Sequence, residues 1–236
     1  MFAYDDQLLA AVQSAPQSVD DVIGAMQAID EICVDGDGLK WFNRLYLDVT
    51  RAVGERVAAG GFHDPAWMAA LDVQFARLYF GALGSALGGG APPECWQVLL
   101  ERRNWTALAR IQCAMAGINA HINHDLPIAI VRTGAAPVHG EAHYDDYTAL
   151  NTTLSSLVET AKVELHVRLL GEVLPPVAPL EDAVAAFGVT AAREAAWNHA
   201  EILWALREAP GLSARTLDTL DGMTAVIGKA LLVPVV

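Results

Sequence analysis

The sequence predicts an all-α protein, a single-domain bundle of roughly nine helices over residues 1–236, and three observations carry that prediction. Apolar residues recur at three-to-four spacing along nearly the whole chain. Alternating β-branched runs closed by hairpin turns are nearly absent. With 236 residues, 53% hydrophobic and 18% charged, there is enough apolar material for one large core. The Gly/Pro-rich stretches at 88–93, 134–137 and 175–179 are as short as inter-helix loops.

Each element has its own signal. Ser18 with Asp21 three residues on predicts a capped helix to about Val34, and Asp35-Gly-Asp-Gly38 separates it from the next. That next helix carries Phe42, Leu45, Tyr46, Val49, Val53 and Val57 as a core-facing stripe. Asp64 followed by Pro65 is an N-cap with proline at the first helical position, starting a helix to about Leu87, and Pro93 opens another. A helix from about Thr106 to Asp125 is expected to be interrupted near Pro127. Gly134, Pro137 and Gly140 mark a loop before a long helix from about Ala142 to Leu170. A short helix is expected near Glu181 to Phe187, and Thr190 and Ser213 read as N-caps of the last two long ones. No internal repeat is present.

The chemistry concentrates in Asn119 to Pro127, NAHINHDLP, which places two imidazoles and a carboxylate in the last turn of an otherwise apolar helix. Such groups are costly to bury without partners or a task. At about 100° per residue, His121 and Asp125 share an inward face, and Ala114 and Gly117 on that face leave room beside it. Gln112, Asn119 and Asn123 project from the opposite side, towards solvent or as anchors for neighbouring loops. His143, Asp146, Tyr147 and Asn151 follow one face at the start of the next long helix. Antiparallel packing of the two helices would bring His121, His124 and Asp125 to His143 and Asp146.

Three readings fit such a cluster. His121, Asp125 and His143 could do acid-base work, with the carboxylate orienting an imidazole and His124 and Asp146 assisting. The same three could hold a divalent ion such as zinc, manganese or iron. The third reading is structural, with buried His and Asp tying down helix ends. Trp41, Trp197 and His199, with Tyr147 and Asn151, are candidate walls of an apolar pocket, although core packing is the stronger expectation for the tryptophans.

Composition excludes other classes. A formal net charge of −13 repels phosphate backbones and anionic membranes, so nucleic acid and membrane are not expected partners. Cys33, Cys95 and Cys113 form no close pair or CxxC, which argues against a disulfide framework and a thiolate zinc site and for buried, reduced thiols. No signal-like N-terminus and no long apolar run is present, so a cytoplasmic protein is expected. Walker loops, GxGxxG, nucleophile elbows and paired Asp-rich motifs are absent, which disfavours a phosphate-bearing cofactor.

Taken together, GDGLKWFNRLY (residues 36–46), NAHINHDLP (119–127) and AAWNHAE (195–201) resemble a bacterial family catalogued as a domain of unknown function. The resemblance covers most of the chain and implies a helical single domain, with no activity to transfer. His124-Asp125 also resembles the metal-binding His-Asp pair of HD-domain phosphohydrolases, for which His63 and Asp146 would be the remaining ligands. The His121 to Asp125 spacing resembles the His-x-x-x-Asp segments of the helical zinc phospholipase C and P1-nuclease class, without a second copy or an N-terminal Trp ligand.

The resulting expectation is a small-molecule enzyme that cyclises or isomerises a largely apolar substrate, with secondary metabolism as its expected setting. Its rivals are a metal-dependent hydrolase using the same cluster and a non-catalytic carrier of an apolar ligand. The sequence does not fix the oligomeric state.

Overall fold

Helix starts follow the chain's own capping chemistry. The structure, a computed structural model, describes residues 2–170 and 188–234, with the backbone alone for 161–170. After α1 (Asp5–Val12), Ser18 and Asp21 form the expected reciprocal capping box at the head of α2 (Val19–Ile32). Asp37 caps α3 (Gly38–Ala58) by accepting from the Leu39 N–H at 3.0 Å. Asp64 caps α4 (Pro65–Leu87) at the Trp67 N–H, and Pro93 leads into α5 (Glu94–Leu100). Turns occupy the residues after Thr106, so α6 (Arg110–Ala120) starts later than periodicity suggests, where the Gln112 side chain accepts from the Ala109 N–H.

The expected 142–170 helix is two elements, α8 (Ala142–Thr148) and α9 (Asn151–Leu170). Thr148 Oγ1 donates to the carbonyls of Tyr144 and Asp145, competing for the acceptors that would continue the first helix. The last two helices are α10 (Val189–Ala205) and α11 (Pro210–Leu231). The second begins at Pro210, whose fixed φ suits the first helical position, ahead of the Ser213 expected as its cap. The short helix expected near 181–187 lies outside the described residues.

All regular structure among the described residues is helical, and no described helix is long and apolar enough to cross a membrane. The segment after α6 is the hub. α3 packs on α6, α11 on α5 and α6, and the helix that follows α6 packs on α10 and α4. Gln112 and Asn119 serve as anchors for α11 and the chain beyond it. Gln112 donates to the carbonyls of Leu231 and Val233, and Asn119 to that of Thr224. Cys33, Cys95 and Cys113 are buried free thiols.

The room expected beside Gly117 is filled. Phe42 of α3 lies against the glycine so closely that an added Cβ would sit 2.6 Å from Phe42 Cβ, and Gly38 meets Cys113 Sγ at 2.7 Å in the same sense. Only hydrogen fits at either place. Gly117→Ala should therefore lose about 2 kcal/mol in chemical denaturation, because overpacking of about 1–3 kcal/mol outweighs the helix propensity gained. Unchanged stability would mean that Phe42 has somewhere to move.

Candidate active site

At Ala120 the helix widens. His121–Asp125 form a π turn in which the Leu126 N–H reaches back to the His121 carbonyl, and α7 (Leu126–Arg132) follows directly. This accounts for the absence of the break expected at Pro127. Proline lacks an N–H and its ring clashes with the preceding turn of an α-helix, and the wider turn absorbs both defects. The residue surplus also sets His121, His124 and Asp125 together in the interior, each buried.

Asp125 organises the cluster. Its Oδ2 accepts from Trp96 Nε1 at 2.8 Å and meets His121 Nδ1 at 2.9 Å, while its Oδ1 meets His124 Nδ1 at 2.7 Å. Burial pushes this carboxyl towards the neutral form, but the hydrogen bonds from His121 and His124 outweigh it and hold the pKa below the ordinary carboxylate value. An ionised carboxylate can only accept. Both neutral rings therefore carry their proton on Nδ1, and each presents a basic Nε2 lone pair. The two rings differ in charge tendency. Burial keeps His121 below the ordinary imidazole value despite Asp125. For His124 burial also works against the charge, but the hydrogen bond and charge of Asp125, with Asp221 behind it, lift the pKa.

His121 Nε2 is buried without a hydrogen-bond partner. Its ring stacks on Phe75, with centroids 3.4 Å apart and planes within 5°, and Tyr46 approaches edge-on at 4.4 Å. Asp72 Oδ2 on α4 is a second buried atom without a hydrogen-bond partner on this side, beside the buried Tyr46 and Thr50 hydroxyls of α3, which interact with each other. Asp72 lies one turn before Phe75, and its charge is second only to burial in raising the Tyr46 phenol pKa. Burial pushes Asp72 itself up to about 7. A neutral imidazole base and a carboxyl still partly protonated at neutrality thus share one aromatic-walled region.

The other ring faces a different neighbourhood. Donor atoms of His124, Cys95 on α5 and Asp221 on α11 lie within 4.8 Å of one another. Among the described residues this is the grouping close enough to share an ion, and it differs from the expected His121, Asp125 and His143.

The second polar patch lies apart. His143 stacks on Trp67 at 4.3 Å, and its Nε2 bonds Asp64 Oδ2 at 3.1 Å. Asp146 accepts the backbone N–H groups of His63 and Asp64, both at 2.7 Å. Both residues are thus engaged at the head of α4, because α8 packs on α4 rather than on the π turn. His63 and Asp146 meet here through the His63 N–H, and among the described residues no hydrogen bond joins either to His124 or Asp125.

Tyr147 donates to the Arg193 carbonyl, and Asn151 accepts from Arg193 Nε. Trp197 is buried against Tyr144 and Tyr147 in the same group, while His199 is half-buried on α10. Trp41 donates to the Asp35 carbonyl and lies under the Arg110 guanidinium at 4.4 Å. The sequence pointed to Tyr46 only as core and to Cys95 only as a buried thiol, and Thr50, Asp72, Trp96 and Asp221 were not singled out. An acidic residue within the apolar run of α4, buried at Asp72, was the one signal open to sequence reading.

No curated protein and no solved structure matches the chain. Residues 19–234 match a family described as a family of unknown function, DUF5995. The chain belongs to that family.

Proposed function

We propose that this protein is a small-molecule enzyme in which His121, oriented by Asp125, is the general base, and Asp72 is the proton donor across an apolar, aromatic-walled site. One observation carries the reading, the unpartnered His121 Nε2 held as a lone pair by the Nδ1 bond to Asp125. Leaving buried polar groups unsatisfied costs about 1–3 kcal/mol each. Two such atoms on one side of the interior, His121 Nε2 and Asp72 Oδ2, favour a task over packing.

The chemistry that suits these groups is proton relocation. His121 Nε2 takes a proton from carbon activated by a neighbouring carbonyl or alkene, and Asp72 supplies one elsewhere on the same molecule. The two residues then exchange roles or re-equilibrate with solvent, so that product and substrate have the same formula. An isomerisation or a cyclisation of a largely apolar compound fits, and the walls of Phe75, Tyr46 and Phe42 suit a planar one.

The test is mass-resolved profiling of an apolar metabolite library after incubation with the wild type and with His121→Asn. A compound whose retention time shifts at constant mass with the wild type, and at least a hundredfold more slowly with the variant, supports the reading. A compound that raises the Tm of the wild type and is returned unchanged would instead make the protein a carrier. If His121→Asn fails to fold while no compound is transformed by the wild type, the imidazole is structural.

A further inference from the structure

The opposite face of the same carboxylate supports a separate inference. We infer that Cys95, His124 and Asp221 form a binding site for a divalent, borderline-soft transition metal ion, with zinc the best match. The donors come from three elements, α5, the π turn and α11, and are 126 residues apart at the extremes, yet their ligand atoms lie within 4.8 Å of one another. A thiolate, an imidazole and a carboxylate form the mixed donor set of a zinc-class site, and the thiolate selects against magnesium and calcium.

The surroundings are built in the way such donors require. His124 Nδ1 is tied to Asp125 Oδ1 at 2.7 Å, which fixes the ring and leaves Nε2 as its free donor. A carboxylate behind a histidine in this manner is the usual support of a metal-bound imidazole. Asp221 is held as firmly, its two oxygens accepting the N–H groups of Glu94 at 2.7 Å and Cys95 at 2.9 Å. Each oxygen retains a further lone pair, and the same two bonds carry the Cys95 thiol to the carboxylate. Cys95 and His124 are buried and Asp221 is partly exposed, so the site has a route to solvent through the acid.

On binding, the thiol proton leaves to solvent, and the ion's double positive charge is matched by the thiolate and Asp221. Three protein donors leave a fourth tetrahedral position for water or another ligand. Neither His121 nor Asp72 is among its ligands, Asp125 supports both rings without ligating the ion, and the test of the site is independent of turnover.

Cobalt(II) is the probe. Chelator-stripped, reduced protein titrated with it should bind about one equivalent and develop a thiolate-to-cobalt charge-transfer band together with the intense visible bands of tetrahedral cobalt. Zinc should displace both and raise the Tm. Cys95→Ser should abolish the charge-transfer band, Asp221→Asn should weaken cobalt binding at least tenfold, and Cys33→Ser and Cys113→Ser should leave both unchanged. Should Cys95→Ser unfold, His124→Asn takes its place, because it leaves every thiol intact and must still weaken cobalt at least tenfold. A wild type that gains no band with excess cobalt, or a band that survives in Cys95→Ser, overturns the site. Turnover is not part of the readout, so failure here leaves the His121 proposal standing, and failure of that proposal leaves this one untouched.

Discussion

Asp125→Asn should lower the unfolding free energy by about 3–5 kcal/mol in a urea titration, the cost of removing one member of a buried charged group. The carboxylate meets three donors, Trp96 Nε1 and the Nδ1 atoms of His121 and His124. An asparagine offers one acceptor oxygen and an amide that must itself donate. At least one imidazole must then give up its Nδ1 proton to accept from that amide, and its remaining proton moves to Nε2. Nitrogen-15 spectra of histidine-labelled protein read this directly. The wild type should show Nδ1-protonated tautomers for both neutral rings, and the variant should lose that state in one of them. A variant within about 1 kcal/mol of the wild type, with both tautomers kept, would show that Asp125 does not organise the pair.

The second large effect concerns pH. Asp72 is pushed up to about 7 by burial, from an ordinary value of 3.8. Its folded pKa lies above its unfolded one, so between these values the native state holds a proton that the unfolded chain releases. The stability contributed by that proton is complete below about pH 4 and falls as pH rises, until it is lost above about pH 7. A shift of this size corresponds to a loss on the order of 4 kcal/mol across the window. Asp72→Asn cannot ionise, and its unfolding free energy, followed by urea titration from pH 5 to 8, should lack this decline. Parallel curves for the two proteins would mean that Asp72 finds a partner or water in its ionised form. If Asp72 is the proton donor, the same variant should lose turnover while gaining relative stability at pH 8, the trade expected when a strained group is kept for chemistry.

Legibility in the sequence followed the range of the interactions. Ser18 with Asp21 and Asp64 with Pro65 are local devices, and they mark helix starts where the sequence says. The inward face of His121 and Asp125 was legible from helical phase alone, and both are buried. The π turn was not, because an extra residue in a turn is set by packing on either side, and Pro127 on its own argues for an interruption. The meeting of Cys95, His124 and Asp221 could not be read from spacing, since no two of them are near in sequence. His143 and Asp146 stand at the start of α8 as expected, but a loop long enough to choose its neighbour delivered them to α4. Phe42 read as core, and that it would close the space beside Gly117 depended on how near α3 comes to α6.

The π turn separates two properties of this chain that are usually inseparable. A π turn takes up one residue that an α-helix would not accommodate in phase, so α6 and α7 each keep their contacts although their numbering is out of step. A chain shorter by one residue there could thread an α-helix through the same space and preserve both sets of contacts. It would carry His121, His124 and Asp125 at another spacing, and one carboxylate could no longer serve both rings. Scaffold and chemistry answer to different residue counts, and a single deletion is the shortest route to the scaffold alone.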